Sequence, residues 1–444
     1  MPQDPDQNPD TVRQAQIERL THTFQEQLKK SLPWDPELTL NEMEKLAQQI
    51  GEQVKDEVQK DLLQSRGTGY AGRHTRCSCG QPARYIACYR RQLLTLNGPQ
   101  MIRRAYYYCA PCRQGFCPLD TQIGIGRGQC SVQVCALLTR FASYLPFATA
   151  AKELEAVCGL RLSASTLRSY AQALGHQLEA EWTKQEQCLH EQKAQPSPVR
   201  PAQLHLSMDG VLIHVGKEWK EVKLASAYQT GAKGGVQRVG YCASLGCSRE
   251  FGPRMRALAH NEGAHNCAKT AFLADGGAWI WQEVGKYFPR SVQILDFYHV
   301  TEHLWVIARA RFGETNAEQK QAASAWMSQQ KERLLGNRVA EVILDVESWQ
   351  ASPVSAQEVQ RRELGYLREH RGRMRYQTLR EQGYHIGSGV IEAGCKNVVQ
   401  GRFKGAGMRW NAEGAQAMLQ VRTAWCSSEQ ANFAAAARRA LLSS

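Results

Sequence analysis

The sequence predicts a mixed α/β core that is preceded by helical and cysteine-rich modules and followed by a long helical insertion. Apolar residues recur every three or four positions over residues 11–64 and 130–190, which is the period of an amphipathic helix. From residue 203 to about 299, short apolar runs such as QLHLSMDGVLIHV are typical of buried strands. Residues 300–380 return to a charged, tryptophan-bearing helical pattern.

Composition limits the classes of protein that the chain can belong to. Its 444 residues suggest two to four domains, and a hydrophobic content of 43% is enough for a real core. The net charge is +13, which favours a polyanionic partner. The first 66 residues contain 8 Lys and Arg against 13 Asp and Glu, a net of −5. The rest of the chain therefore carries +13 − (−5) = +18, so the basic character belongs to the body of the protein.

The sequence also predicts where the protein resides. No run of about 18 apolar residues is present, so we expect no membrane span. The start of the chain, MPQDPDQNPD, lacks the basic and apolar regions of a secretory signal. We therefore expect a cytoplasmic, nucleoid-associated protein whose fifteen cysteines are thiols or metal ligands rather than disulfides.

The amphipathic helices of residues 1–66 predict an N-terminal arm or oligomerisation segment. Gly, Arg, Cys and Tyr dominate the following segment, in which two close cysteine pairs are separated by a β-like stretch. This spacing predicts a zinc-ribbon-like module with one structural Zn²⁺ and four thiolate ligands. The predicted ligands are Cys77, Cys79, Cys109 and Cys112.

Two alternatives stay open for the cysteines. The four residues can be unrelated buried thiols, because cysteine is often buried without a ligand. Cys88 or Cys117 can also replace one of the predicted ligands.

Residues 126–190 contain a candidate helix-turn-helix. One helix ends at Gly159, and Ser163 or Ser165 offers an N-cap for a second helix. Arg168 lies on the outer face of that second helix, where it can reach DNA. An ordinary pair of antiparallel helices is the alternative. The predicted inner positions are Leu167, Tyr170 and Leu174, and the other outer positions are Thr166, Ser169 and Gln172.

Three acidic residues stand in apolar or glycine-rich surroundings. Asp209 lies within an apolar strand, where a charge costs several kcal/mol unless it is paired or binds a metal. Asp275 ends the short apolar strand in TAFLADG, and Glu392 follows a glycine-rich turn at the start of a helix. Together they suit a site for Mg²⁺ or Mn²⁺, two ions per active site, that transfers phosphoryl groups. For any one of these acids, a helix cap or a surface ion pair is the alternative.

Basic residues follow Glu392 closely. Lys396 lies one helical turn later on the same face. Arg402, Lys404 and Arg409 come next, and we expect all four to bind the phosphate backbone of DNA. Trp410 is a candidate for base stacking among these residues.

Asp296 and His299 form a D-x-x-H pattern at the end of the strand SVQIL. The pattern resembles a weak metal site, but we interpret it as a hydrogen-bonded structural pair that supports the site.

Several motifs together resemble the transposases of the ISKra-type insertion-sequence family. They are SMDGV, EWKEVK, LADGGAWIW, ILDFYHVTEHLW, GSGVIEAGCKN and RFKGAGMRW, with the upstream Cys-x-Cys, Cys-x-x-Cys and CPLD segments. The resemblance covers about residues 70–425. It implies a ribonuclease-H-like catalytic core whose DDE triad is Asp209, Asp275 and Glu392. It also implies a helical insertion before the Glu-bearing helix, and the D-x-x-H pattern resembles that of Mutator-like transposases.

The expected function is therefore a transposase that binds terminal inverted repeats and cuts and joins DNA. The expected partners are the inverted repeats, target DNA and further copies of the chain, in a dimer or a larger assembly. Two alternatives remain, a catalytically silent DNA-binding regulator derived from a transposase and a nuclease that cuts without joining. The predicted domains are the arm 1–66, the zinc-ribbon-like module 67–125, the helix-turn-helix region 126–190, a proline-rich linker 191–202, the core 203–299, the insertion 300–382, the Glu-bearing helix with its basic segment 383–425, and a helical tail 426–444.

Overall fold

The computed structural model describes residues 9–32, 37–126, 128–231, 234–428 and 433. These residues form two compact units. The first contains the described residues up to Phe141 together with Phe147–Tyr170, and the second contains Ala142–Pro146 and Ala171–Phe433.

The first unit begins with the two helices that the apolar periodicity predicts, α1 (Pro9–Ser31) and α2 (Leu40–Ser65). Thr39 and Glu42 form a capping box that fixes the start of α2. Four antiparallel strands follow in the order β1-β2-β3-β4. The strands are β1 (His74–Arg76), β2 (Pro82–Thr95), β3 (Gly98–Cys109) and β4 (Gln114–Phe116).

Helices complete this region, and α6 continues into the second unit. They are α3 (Pro118–Gln122), α4 (Val132–Tyr144), α5 (Phe147–Cys158) and α6 (Ala164–His190).

The local prediction for residues 147–178 is confirmed. Gly159 follows α5 with a φ of 64°, a left-handed conformation that glycine adopts without strain. Of the two candidate caps, Ser163 is the one used, because its Oγ accepts a hydrogen bond from the backbone N–H of Thr166 at 3.1 Å. Leu167 is buried and Arg168 is exposed, as predicted. Contact between this helix and DNA stays a prediction.

The second unit is built on a mixed five-stranded sheet in the order β7-β6-β5-β8-β9. The first three strands pair antiparallel, whereas β8 runs parallel to β5 and β9 runs parallel to β8. The predicted mixed α/β class is therefore confirmed. The strands are β5 (Leu204–Val215), β6 (Glu218–Thr230), β7 (Val236–Leu245), β8 (Thr270–Ala274) and β9 (Val292–Leu295).

Helices follow the strands, and the predicted helical stretch from residue 300 to 380 is confirmed. The helices are α7 (Ser248–Asn261), α8 (Ala278–Tyr287), α9 (Phe297–Phe312), α10 (Ala317–Leu335), α11 (Val339–Ser348), α12 (Val354–His370), α13 (Tyr376–Glu381), α14 (Gly389–Gly394), α15 (Gly401–Phe403) and α16 (Ala412–Cys426).

The helical insertion shares one hydrophobic core with the sheet. Leu206 and Phe272 of the central strands belong to the same buried cluster as Trp326 of α10 and Leu367 of α12. Burial of this apolar surface holds the insertion against the sheet.

Residues 191–202 contain no helix or strand, as their prolines predict. The segment nevertheless packs closely, because the Ser197 hydroxyl donates to the Asn261 carbonyl at 2.6 Å and the Asn266 amide donates to the Val199 carbonyl at 3.2 Å. It is a packed connection within the second unit.

Among the described residues, no helix is long and apolar enough to cross a membrane. The predicted helical tail 426–444 lies outside the described residues, except for residues 426–428 and 433.

Candidate functional site

The register of the parallel strands brings two of the predicted acids level with each other. Leu206 of β5 pairs with Phe272 of β8. Asp209 lies three residues after Leu206, and Asp275 lies three residues after Phe272. Because neighbouring parallel strands advance at the same rise per residue, the two carboxylates emerge at the same height of the sheet.

Asp296 follows the neighbouring strand β9 and forms a row of three acids with Asp209 and Asp275. Ala274 of β8 pairs with Leu295 of β9, and the backbone N–H of Asp296 donates to the Ala274 carbonyl at 2.9 Å. Its side chain also caps α9, accepting from the backbone N–H of Tyr298 at 2.6 Å. Parallel strands end at a common edge, which is where α/β proteins place their sites.

Glu392 lies on α14, lines the same cavity as this row of acids and is hydrogen-bonded to Ser388. The Ser388 hydroxyl lies 2.7 Å from Glu392 Oε1 and also contacts Asp296 Oδ2. The Ser388 backbone N–H donates to the same Asp296 oxygen at 3.0 Å. A hydroxyl has a single proton to donate, so Ser388 links the two carboxylates while it satisfies only one of them at a time.

All four acids line one cavity of about 220 Å³. The predicted triad therefore comes together from β5, the end of β8 and α14. The remaining lining residues are Met208, Tyr298, His299, Glu302, Ser388 and Ile391.

Burial and electrostatic repulsion between these acids both affect the pKa of Asp209. Burial raises the pKa of its carboxyl above the ordinary value, and the negative charges of Asp275 and Glu392 raise that pKa further. Hydrogen bonds from the Cys395 thiol, at 3.1 Å, and from the Gly210 backbone N–H partly offset the rise. Burial and the neighbouring Asp209 charge also raise the pKa of Cys395, so this thiol keeps its proton and remains a donor.

The donor set fits a hard divalent cation. Carboxylate oxygens are the ligands that Mg²⁺ and Mn²⁺ prefer, and a cation offsets the burial and the repulsion that together raise the Asp209 pKa. The triad oxygens are more widely spaced than the cysteine sulfurs described below. Among the described residues, only those sulfurs form a group of at least three ligand atoms within 4.8 Å of one another.

Three of the four predicted phosphate-binding residues are exposed, namely Lys396, Lys404 and Arg409. Lys396 stands in a π-helical turn, Cys395–Gln400, which continues α14. Such turns occur often at functional sites.

The prediction that Arg402 binds the phosphate backbone of DNA is wrong. The side chain is buried, its Nε donates to the Ala142 carbonyl at 2.8 Å, and its guanidinium lies 4.8 Å from the centre of the Trp410 ring. Burial and the neighbouring Arg422 charge together lower the pKa of Arg402 to about 10. The Arg402 side chain therefore stabilises the interior of the protein. The Trp410 ring is only 8% exposed and is unsuited to base stacking.

The D-x-x-H pair is joined differently from the prediction. Asp296 accepts from the backbone N–H of His299 at 3.3 Å, whereas the His299 ring lies 3.2 Å from the His303 ring, measured between the two Nε2 atoms. His303 in turn contacts the buried Glu363 of the insertion at 2.5 Å. The insertion thus orients the ring of His299, which lines the cavity.

Sequence reasoning missed several supporting residues. Ser388 and Cys395 lie four residues before and three residues after Glu392, so helical spacing places both near that acid. Glu363 and Tyr366 stand in the insertion without any local motif. Tyr366 packs so closely on Gly276 that a Cβ there would lie 2.2 Å from its ring, which explains the glycine after Asp275.

The four predicted zinc ligands form a second site, in the first unit. Cys77 and Cys79 lie in a turn after β1, Cys109 ends β3, and Cys112 lies in the turn between β3 and β4. The Cys77 and Cys112 sulfurs are 3.6 Å apart, and the Cys79 and Cys109 sulfurs are 3.7 Å apart. A tetrahedral site with Zn–S bonds of about 2.3 Å has sulfur–sulfur edges of about 3.8 Å, so the cluster can hold a metal such as zinc.

The ionisation of these thiols also fits a cation. A backbone hydrogen bond from Cys79, together with bonds from the other thiols, lowers the pKa of Cys77 to about 6. The hydrogen bond with Cys109 and burial raise the pKa of Cys112 to about 12. Four crowded thiols cannot all ionise until a cation joins them. The alternative ligands Cys88 and Cys117 are not members of the cluster.

A scan against protein-family models and a search of curated proteins both find no match for this chain.

Asp209→Asn is expected to raise the melting temperature of the metal-free protein at neutral pH. A carboxyl whose pKa is raised by folding binds its proton more tightly in the folded state, so the wild type loses stability as the pH rises from the ordinary pKa of aspartate to the raised one. The neutral amide removes that loss. Differential scanning fluorimetry measures the shift, and Mn²⁺ should stabilise the wild type more than the variant. Glu318→Gln, at an exposed helical position, is the control. An equal response of variant and wild type to Mn²⁺ would remove Asp209 from the metal site.

Ser388→Ala is expected to weaken Mn²⁺ binding by about 10- to 100-fold, because residues that orient metal ligands typically contribute this much. Isothermal titration calorimetry measures the affinity. Ser388→Thr keeps the hydroxyl and should restore most of the binding. Unchanged affinity in the alanine variant would show that Ser388 does not orient Glu392.

Cys109→Ser is expected to lose a tightly bound zinc, of which the wild type should hold about one per chain. Mass spectrometry of the metal content measures this ratio. Cys88→Ser, outside the cluster, should keep the metal. A zinc-free wild type with four freely titratable thiols at these positions would contradict the assignment.

Proposed function

We propose that this chain is a DDE transposase of the ISKra type, with a ribonuclease-H-like core that cuts and joins DNA. One observation carries the proposal. Asp209, Asp275 and Glu392 come from three distant parts of the sequence and line a single cavity. These are the positions at which the resemblance to that family places the catalytic triad.

The surroundings of each acid support the proposal. Asp209 stands in SMDG, Asp275 in LADG and Glu392 in GVIEAG. The mixed sheet, with α14 reaching its edge after a long helical insertion, agrees with the core that the resemblance implies.

The residues of the chain have separate tasks in this reaction. Asp209, Asp275 and Glu392 would hold two Mg²⁺ or Mn²⁺ ions, and Ser388 and Cys395 would orient the carboxylates. When bound, such ions activate a water or a 3′-hydroxyl and stabilise the leaving oxygen. Lys396, Lys404 and Arg409 are exposed and would bind the DNA backbone beside the scissile phosphate.

The modules outside the core would recognise DNA and assemble the complex. The cysteine cluster and the helix carrying Arg168 would bind the terminal inverted repeats. Because an element has two ends, we expect a homo-oligomer, a dimer or larger, with target DNA as a further partner. The helices α1 and α2 are candidates for the contact between copies.

A strand-transfer assay tests the proposal. Labelled, pre-cleaved ends of the element are incubated with plasmid DNA and Mg²⁺ or Mn²⁺. We expect joined products with the wild type. Asp209→Asn, Asp275→Asn and Glu392→Gln should each reduce joining by at least about 10²–10³-fold, the usual effect of removing one group that stabilises the transition state. All three should still bind the ends.

Glu358→Gln, an exposed change on α12, is the matched control and should join normally. Cutting without joining would instead identify a nuclease, and binding without either would identify a silent regulator. Full activity in any triad variant would remove that residue from the site.

A further inference from the structure

The segment that carries the cysteine cluster has an unusual charge composition. Residues 67–119 contain eight arginines and no lysine, aspartate or glutamate. A positive charge carried by arginine alone favours planar, bidentate partners such as phosphate groups and base edges.

Two of the eight arginines are used inside the fold. Arg91 and Arg104 both contact the carboxylate of Asp120 and are largely buried. The other six are exposed, and none of them is in an ion pair within the described part of the chain. They are Arg73, Arg76, Arg84, Arg90, Arg103 and Arg113.

The strands β2 and β3 extend beyond the rest of their sheet. β1 pairs with β2 only as far as Arg84, and β4 pairs with β3 only from Tyr107 onward. Between these limits and the turn at Thr95–Gly98, β2 and β3 form a two-stranded antiparallel ribbon, which one isolated bridge joins to Cys130 at Leu94.

The two faces of this ribbon have opposite surroundings. Leu93 and Ile102 point to one side, where they pack with Leu119. On the same side, Gln100 donates to Asp56 of the acidic helix α2 at 2.6 Å. Asp56 of the N-terminal arm therefore contacts the buried face, whereas the opposite face carries the exposed Arg90 and Arg103.

The exposed face consists of Arg90, Gln92, Met101 and Arg103, and we call it the ribbon face. Arg90 lies directly opposite Arg103, and Gln92 lies directly opposite Met101. Like charges directly opposite each other destabilise a β-ribbon. Folding alone does not account for this pair, whereas a polyanionic ligand does.

We propose that the ribbon face enters the major groove of B-form DNA, which deepens the proposed function by naming a surface that reads the DNA. The major groove is about 12 Å wide and admits a two-stranded ribbon. Arginine pairs with guanine and glutamine pairs with adenine at the base edges in that groove. Double-stranded RNA fits poorly, because its deep and narrow major groove excludes side chains.

The salt dependence of DNA binding tests this inference. Fluorescence anisotropy of a labelled duplex of mixed sequence, titrated with the full-length chain, gives log K against log salt concentration. Each neutralised phosphate charge contributes about −0.9 to the slope. Arg90→Gln with Arg103→Gln should therefore make the slope less steep by about 1.8. Each single variant should give about half of this change.

Three further variants sharpen the test. Arg90→Lys with Arg103→Lys keeps both charges and should keep the slope, with weaker binding because the bidentate contacts are lost. Gln92→Ala should keep the slope and relax the base preference that the wild type shows in selection from a randomised duplex pool. Arg256→Gln with Arg290→Gln removes two exposed arginines of the second unit and should leave the slope unchanged.

An unchanged slope in the Arg90 and Arg103 variants, with zinc content and melting temperature at wild-type values, would overturn the inference. Tighter binding of an RNA duplex than of DNA of the same sequence would overturn it as well. Its outcome is separable from that of the proposed function. Glu358→Gln should bind with the wild-type slope, and a reduced slope in the ribbon variants stands even if the wild type joins no DNA.

Discussion

Repulsion among carboxylates at the edge of the central sheet is the constraint around which the second unit is arranged. Asp209, Asp275 and Asp296 are held level by the register of three neighbouring strands, and Glu392 is brought to them by α14. Burial and the other acids raise the pKa of Asp209. The surrounding groups, the Cys395 thiol and the Ser388 hydroxyl among them, reduce this repulsion without removing it. Carboxylate oxygens are the ligands that Mg²⁺ and Mn²⁺ prefer, so a divalent cation is the partner that we propose for this site.

The helical insertion is part of this arrangement. It shares its hydrophobic core with the sheet, so the end of the cavity that it forms is fixed by packing. The Tyr366 ring packs against Gly276, the residue after Asp275. Glu363 contacts His303 and thereby orients the His303 ring against His299. The buried carboxylate of Glu363 restricts this geometry, because leaving a buried charge unpaired is costly. Residues distant in sequence thus hold the acids in place.

The sequence predicted the elements better than it predicted the contacts between them. Strand patterns located Asp209 and Asp275, because an acid in an apolar strand needs a physical reason. The glycine-rich turn before Glu392 suggested this third acid, but its approach to the other two depends on packing across a long insertion, which local patterns do not reveal. The family resemblance strengthened that expectation. Arg402 shows the opposite failure. A run of basic residues suggests an exposed surface. Arg402 nevertheless lies at a helical position whose side chain points into the interior. Glu363 has no local signal at all.

The central claim is that Asp209, Asp275 and Glu392 form one metal-dependent catalytic site. Anomalous X-ray scattering from crystals of the full-length protein grown with Mn²⁺ tests it most directly. We predict manganese peaks within coordination distance of all three carboxylates, and no such peaks in crystals of Asp209→Asn. Manganese bound elsewhere, for instance only at the exposed Glu302, with the triad free of metal at saturating concentration, would contradict the account.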